Sequence, residues 1–197
     1  MKFLLTAINA KFIHSNPAIY SLRACVGEKL QPYVELAEFT INESLESILE
    51  GIWKHQPDAI GFSCYIWNWK LIREILAELP KLLPNTEIWL GGPEVTYDGP
   101  GLLKEFPQVT GIMVGEGEVT FRELLEQYLW EAEGTQKQFG KRTEERFGQI
   151  TGLCLASGYT APRELTDLTT LPFLYENMEP FTNRIIYYET SRGCPYQ

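Results

Sequence analysis

Apolar residues recur along this chain in two alternating rhythms. Residues 3–8 form an almost unbroken apolar run of strand length, ended by Asn9 and a polar loop that extends to Asn16. Pro17 then stands where a helix can begin, and Ile19, Leu22, Val26 and Leu30 follow at steps of three and four, the spacing of one helical face. The pair of patterns repeats. Residues 34–41 alternate loosely as a second strand, and Asn42 is placed to cap a helix whose apolar face is Leu45, Ile48, Leu49 and Ile52. Residues 59–64 read as a third buried strand, followed by a helix over 67–79 that Pro80 is expected to close. A fourth strand over 86–90, a helix over 99–106, a fifth strand over 111–114 and a helix over 121–130 complete the series.

Strands that alternate with helices at this spacing need crossover connections, which are right-handed and produce a parallel sheet covered on both faces. The expectation is therefore an α/β fold over residues 1–133: a doubly wound five-stranded parallel sheet of flavodoxin-like or Rossmann-like type, with a short C-terminal β extension. Residues 131–147, rich in charge, Gly and Gln, read as a solvated connector, and 149–157 as one arm of a hairpin turning at Ser157 and Gly158. Together with the extended, Pro-punctuated stretch over 160–174, they make 134–182 a linker with a β-hairpin. A β-branched and aromatic run over 185–190 reads as a last buried strand, leading into Ser191-Arg192-Gly193-Cys194-Pro195.

Composition removes several function classes. With 197 residues, 44% of them hydrophobic, the chain can bury the core of one domain of about 100–150 residues and carry a tail. The formal charge is −9, and the nearest basic run, Lys141-Arg142, is diluted by Glu144 and Glu145, so no surface for tracking nucleic-acid phosphates is expected. Cys25, Cys64, Cys154 and Cys194 are scattered with no metal-ligand spacing, and Cys64 and Cys154 fall in strand patterns as buried thiols. Without a signal-peptide pattern or a stretch approaching 18 apolar residues, the chain reads as cytoplasmic, with nothing that spans a membrane.

In an open parallel sheet, ligands bind beyond the carboxyl ends of the strands, where helix N-termini offer free backbone N–H groups. Three features mark those loops here: Ser63 at the end of the third strand, Gly91-Gly92 after the fourth, and Gly115-Glu116-Gly117 after the fifth. Paired glycines let a bulky ligand lie against bare backbone. Neither a Gly-x4-Gly-Lys-[Ser/Thr] loop nor a Gly-x-Gly-x-x-Gly turn is present. Asn9-Ala10-Lys11 stands where a signalling receiver would place an acidic cluster.

Taken together, these residues resemble the cobalamin-binding domain that precedes the barrel of a large group of radical S-adenosylmethionine (SAM) enzymes. The resemblance implies that Ser63, Gly91 and Gly92 line a slot for the nucleotide tail of the corrinoid. It also matches Gly115-Glu116-Gly117-Glu118 to the group's fifth-strand turn and Leu168-Thr169-Thr170-Leu171-Pro172 to its linker. The Ser-Arg-Gly-Cys-Pro segment resembles the opening of the radical-SAM cluster loop, where cysteines spaced Cys-x3-Cys-x2-Cys hold a [4Fe-4S] cluster that binds SAM. Cys194 would be the first of them, the one metal-ligand candidate, and 183–197 the start of a barrel of which almost nothing is present.

Further cofactor-binding candidates are Asn9, His14, Ser15 and Asn16 after the first strand, Tyr65 and Trp67 after the third, and Pro93 and Glu94 after the fourth. Gly115, Glu116 and Gly117 complete the set. Many corrinoid proteins carry Asp-x-His-x-x-Gly after the first strand, whose imidazole ligates cobalt; here the residues are Phe12-Ile13-His14-Ser15-Asn16-Pro17. That departure implies base-off cobalamin without a protein imidazole on the metal. The implied partners are the corrinoid and the protein's own radical-SAM barrel. The implied parent reaction is methyl transfer or radical rearrangement, and no catalytic residue is assigned within this chain. The alternative is a cobalamin-free docking or substrate-binding module that uses the same loops.

Overall fold

The computed structural model describes residues 1–133, 143–175 and 177–192. The elements run β1 (Phe3–Asn9), α1 (Pro17–Cys25), β2 (Val34–Thr40), α2 (Leu45–His55), β3 (Ala59–Ser63), α3 (Trp69–Leu82), β4 (Glu87–Gly91) and α4 (Gly99–Glu105). They continue with β5 (Val109–Met113), α5 (Gly117–Glu133), α6 (Thr143–Phe147), β6 (Leu153–Leu155) and β7 (Gly158–Tyr159). The sheet order is β2-β1-β3-β4-β5-β6-β7. The first five strands are parallel, as the pattern requires. Among the described residues the sheet has seven strands rather than the expected five, because the β6–β7 hairpin adds antiparallel to the outer edge of β5. Leu153 and Leu155 are buried there, which fixes the hairpin to the core.

Strand alternation divides the interior into two layers. Phe3, Leu5, Trp89 and Met113 face α1 and α5 with Ile19, Phe121, Leu124 and Leu125. Leu4, Ile8, Ile60, Phe62, Ile88 and Leu90 face α2, α3 and α4 with Ile48, Ile52, Ile75 and Leu79. β1 is buried along its whole length, as a central parallel strand covered on both faces must be.

Several expectations are corrected. The cap of α2 is Ser44, not Asn42: the Ser44 hydroxyl accepts the Ser47 N–H at 3.2 Å. α3 runs through Pro80 to Leu82. Proline cannot donate to the Leu76 carbonyl one turn back, and the Gln108 side-chain amide donates to that oxygen instead, at 2.9 Å. α5 starts at Gly117, ahead of the apolar face that announces it. The solvated connector, apart from residues 134–142, which lie outside the described residues, is a packed element. Phe147 of α6 is fully buried edge-on against Trp89, with ring centroids 5.2 Å apart, and Arg146 bridges Glu131 and Glu87.

The run over 185–190 is not a strand. Ile185 makes one parallel bridge to His14, and Tyr188 is 67% exposed. The run crosses the carboxyl ends of the strands, where among the described residues only 13–15 offer it backbone pairing, and β propensity without a partner edge makes no ladder. Among the described residues no helix is long and apolar enough to cross a membrane.

Candidate functional site

A cleft of about 720 Å³ opens at the carboxyl end of the sheet on the α1/α5 side, within the ~300–1,000 Å³ usual for small-molecule sites. Leu5, Gly61 and Phe62 line its depth, Pro17, Ile19 and Leu22 one wall, and Gly115, Glu116, Gly117 and Glu118 another. Ser63, Gly91 and Met113 line it as well, in one row of the sheet: Ser63 pairs with Gly91 and Gly91 with Met113. A glycine in the middle of buried β3 deepens the cleft, since strand glycines mark close approach of another group. A Cβ at Gly61 would stand only 3.2 Å from Phe3 and 3.3 Å from Leu5.

The glycines differ in what demands them. Gly92 has φ +108°, and a Cβ there would lie 2.5 Å from the Cys64 carbonyl oxygen; Gly115 has φ +79°. Both are fixed by backbone conformation. Gly91 carries neither constraint, because its Cβ would meet Met113 at an ordinary 3.7 Å. The space that a side chain at Gly91 could take belongs to the cleft.

Polar groups at the rim are held by neighbours. The Asn16 amide donates to the Ser63 hydroxyl at 3.1 Å. Fully buried Asn68 donates to the Ile8 and Ser63 carbonyls and accepts the Tyr65 N–H, so it ties the ends of β1 and β3 to the Tyr65 loop. Tyr65 stacks on Trp67 with centroids 4.4 Å apart and planes within 7°, and burial pushes its phenol upward.

Across the cleft, Arg192 donates to Glu118 at 2.6 Å and to Glu189 at 2.7 Å, with Glu116 at 3.6 Å. Ser21 also donates to Glu118, at 2.8 Å. Burial alone would raise the Glu118 carboxyl; its hydrogen bonds from Arg192, Ser21 and its own backbone outweigh that and hold it below the ordinary carboxylate range. The Arg192 guanidinium is raised, chiefly by its bond to Glu118.

Of the residues expected at the site, the cleft gathers Ser63, Tyr65, Gly91, Gly92, Pro93, Gly115, Glu116 and Gly117. Asn9, His14, Ser15, Asn16, Trp67 and Glu94 stand outside its lining. Asn9 and Asn16 bond to Glu38, Ser15 donates to the Ile185 carbonyl, and Glu94 is exposed. His14 stacks on Tyr187 with centroids 5.6 Å apart and shares a hydrogen bond between its Nδ1 and the Tyr187 hydroxyl. Glu118, the last residue of the turn singled out in the sequence, lines the cleft too. Sequence reasoning missed Gly61 and the returning segment with Tyr187, Tyr188 and Arg192. Only Gly61 carried a signal, as a glycine inside a buried strand.

Cys194 lies outside the described residues. Within them no cluster of three His, Cys, Asp or Glu side chains is arranged to hold a metal. Cys64 is fully buried, and desolvation pushes its thiol up to about 12, so it is neither an available ligand nor a nucleophile near neutral pH.

The B12 binding domain family matches residues 4–125. The cobalamin-dependent radical SAM methyltransferase TokK of Streptomyces tokunonensis is 31% identical over 150 residues, covering 72% of this chain and 21% of its own. A 2-(S-pantetheinyl)-carbapenam-3-carboxylate methyltransferase of Streptantibioticus cattleyicolor is 29% identical over 149 residues, covering 71% and 21%. This chain thus spans about a fifth of those relatives. Among solved structures, the cobalamin-dependent SAM radical enzyme OxsB with aqua-cobalamin and SAM bound matches at TM-score 0.58 and 18% identity, over 82% of this chain and 22% of OxsB. At that identity the likeness is one of fold.

Proposed function

Because the chain belongs to the B12-binding domain family, we propose that it binds cobalamin, with the nucleotide tail of the corrinoid in the cleft under α1 and α5 and the ring above the carboxyl ends of the strands. Gly91 carries this reading: it is a glycine that packing and backbone do not require, lining the cleft in the row between Ser63 and Met113. Leu5, Ile19, Gly61 and Met113 supply the apolar surround for a flat base. Ser63, oriented by Asn16, offers a hydroxyl to the sugar or phosphate of the tail. When bound, cobalamin supplies cobalt-centred methyl or electron transfer, and the protein contributes placement and exclusion of water.

The corrinoid is held base-off without a protein imidazole. His14 lies outside the cleft lining, with its Nδ1 engaged by Tyr187, which supports that reading. In the whole protein, residues 1–133 together with the β6–β7 hairpin form the corrinoid-binding unit, 160–182 the linker, and 183–197 the first segment of a radical-SAM barrel whose cluster loop opens at Cys194. Such a protein works in the cytoplasm, and the free thiols of Cys25, Cys64 and Cys154 agree with a reducing compartment.

The test is hydroxocobalamin titration of the wild type and of Gly91→Ala. The variant is expected to keep its melting temperature and to bind about tenfold more weakly, because one added methyl overfills the slot. Equal affinity for both proteins would place the tail elsewhere.

A further inference from the structure

Arg192 belongs to a segment that crosses the cleft and is held mainly by its side chains. Tyr187, Tyr188, Glu189 and Arg192 line the same space as Ser63 and Gly91. At one end of the segment Arg184 pairs with Glu38 and donates to the His14 carbonyl at 2.7 Å. At the other, the Arg192 guanidinium spans Glu118, Glu116 and Glu189. Between these anchors Ile185 makes the one backbone bridge found among the described residues. Few backbone bonds and an exposed Tyr188 describe a segment of low local stability, and it closes over a volume still large enough for a ligand.

We propose that Arg192 is a positioning residue that holds the 184–192 segment as a roof on the nucleotide slot, so that filling the slot and closing the roof are one linked equilibrium; the proposal rests on the cobalamin reading above. A tail lying under Tyr187 and Arg192 touches the closed roof and not the open one. It therefore favours closure by the same factor by which closure favours the tail. The planar fork of Arg192 reaches three carboxylates at once, a geometry that an ammonium point charge does not reproduce.

Trypsin cleavage after Arg184, read by mass spectrometry, tests this. The protease must draw the Arg184 side chain away from Glu38, so its rate follows the open population. Saturating hydroxocobalamin is expected to slow this cleavage about tenfold, whereas cobinamide, which has no nucleotide tail, leaves it at the ligand-free rate. Arg192→Ala speeds cleavage of the ligand-free protein and removes most of the protection by cobalamin, and Arg192→Lys restores part of it. Circular dichroism confirms that both variants fold. Equal protection by cobinamide, faster cleavage with cobalamin, or unchanged protection in Arg192→Ala overturns the roof. The visible spectrum of corrinoid retained in the same samples separates two failures. Retained corrinoid with unprotected Arg184 defeats the roof alone, and no retained corrinoid defeats the cobalamin reading and the roof with it.

Discussion

Phe147 sits in a stretch of Glu, Lys, Arg, Gly and Gln, yet its side chain is fully buried between Trp89 and Tyr128. Beside it Arg146 lies over the rings of Phe147 and Tyr128 while pairing with Glu87 and Glu131. Truncating a buried aromatic typically costs about 3–5 kcal/mol. Phe147→Ala is accordingly expected to lose about that much in urea unfolding, whereas a loss under ~0.5 kcal/mol, the range of surface changes, would return the segment to a solvated connector. Isolated apolar residues among charged and polar ones give no periodicity to read, which is why this anchor was invisible in the sequence. Gly61 had a readable signal and Ser63, Gly91 and Gly92 a stronger one, because loops at strand ends can be located once the strands are. What the sequence could not separate was the glycine left over for the cleft, Gly91, from those the backbone demands, Gly92 and Gly115.

At the scale of elements, periodicity located every parallel strand and its following helix, and the errors cluster where side chains replace backbone partners. Gln108 substitutes for the N–H missing at Pro80 and lets α3 continue. Arg184 and Arg192 pin a run rich in strand formers that meets no free edge. The docking of that run against α5 is pH-dependent through Glu118. Its carboxyl is held below the ordinary range in the folded protein, so the stabilisation is present above the unfolded value of about 4.3 and is lost as pH falls through the lower folded value. Glu118→Gln is expected to be about 2 kcal/mol less stable than the wild type at pH 7. Thermal unfolding followed across pH should show that gap closing below about pH 4. A gap independent of pH would mean that Glu118 acts by packing rather than by charge.

For the whole molecule, the order β2-β1-β3-β4-β5 places the chain reversal between β1 and β3, and the crevice beyond the strand ends at such a reversal is where open α/β sheets bind ligands. The cleft occupies that place. Covering it takes three separate parts of the sequence: the loops after the strands, the first turn of α5, and a segment that returns about 70 residues after α5 begins. The first two were legible, because turn residues and the Gly-Glu start of a helix are local signals. The third depended on long-range pairing between charged groups, which no local pattern encodes. Corrinoid binding is tested most directly by mixing the purified chain with equimolar hydroxocobalamin at about 100 μM, a concentration that detects even weak affinity, and desalting it. Corrinoid is expected to elute with the protein, to show a base-off visible spectrum, and to do so equally with His14→Ala. Corrinoid eluting with the small molecules would contradict the cobalamin reading.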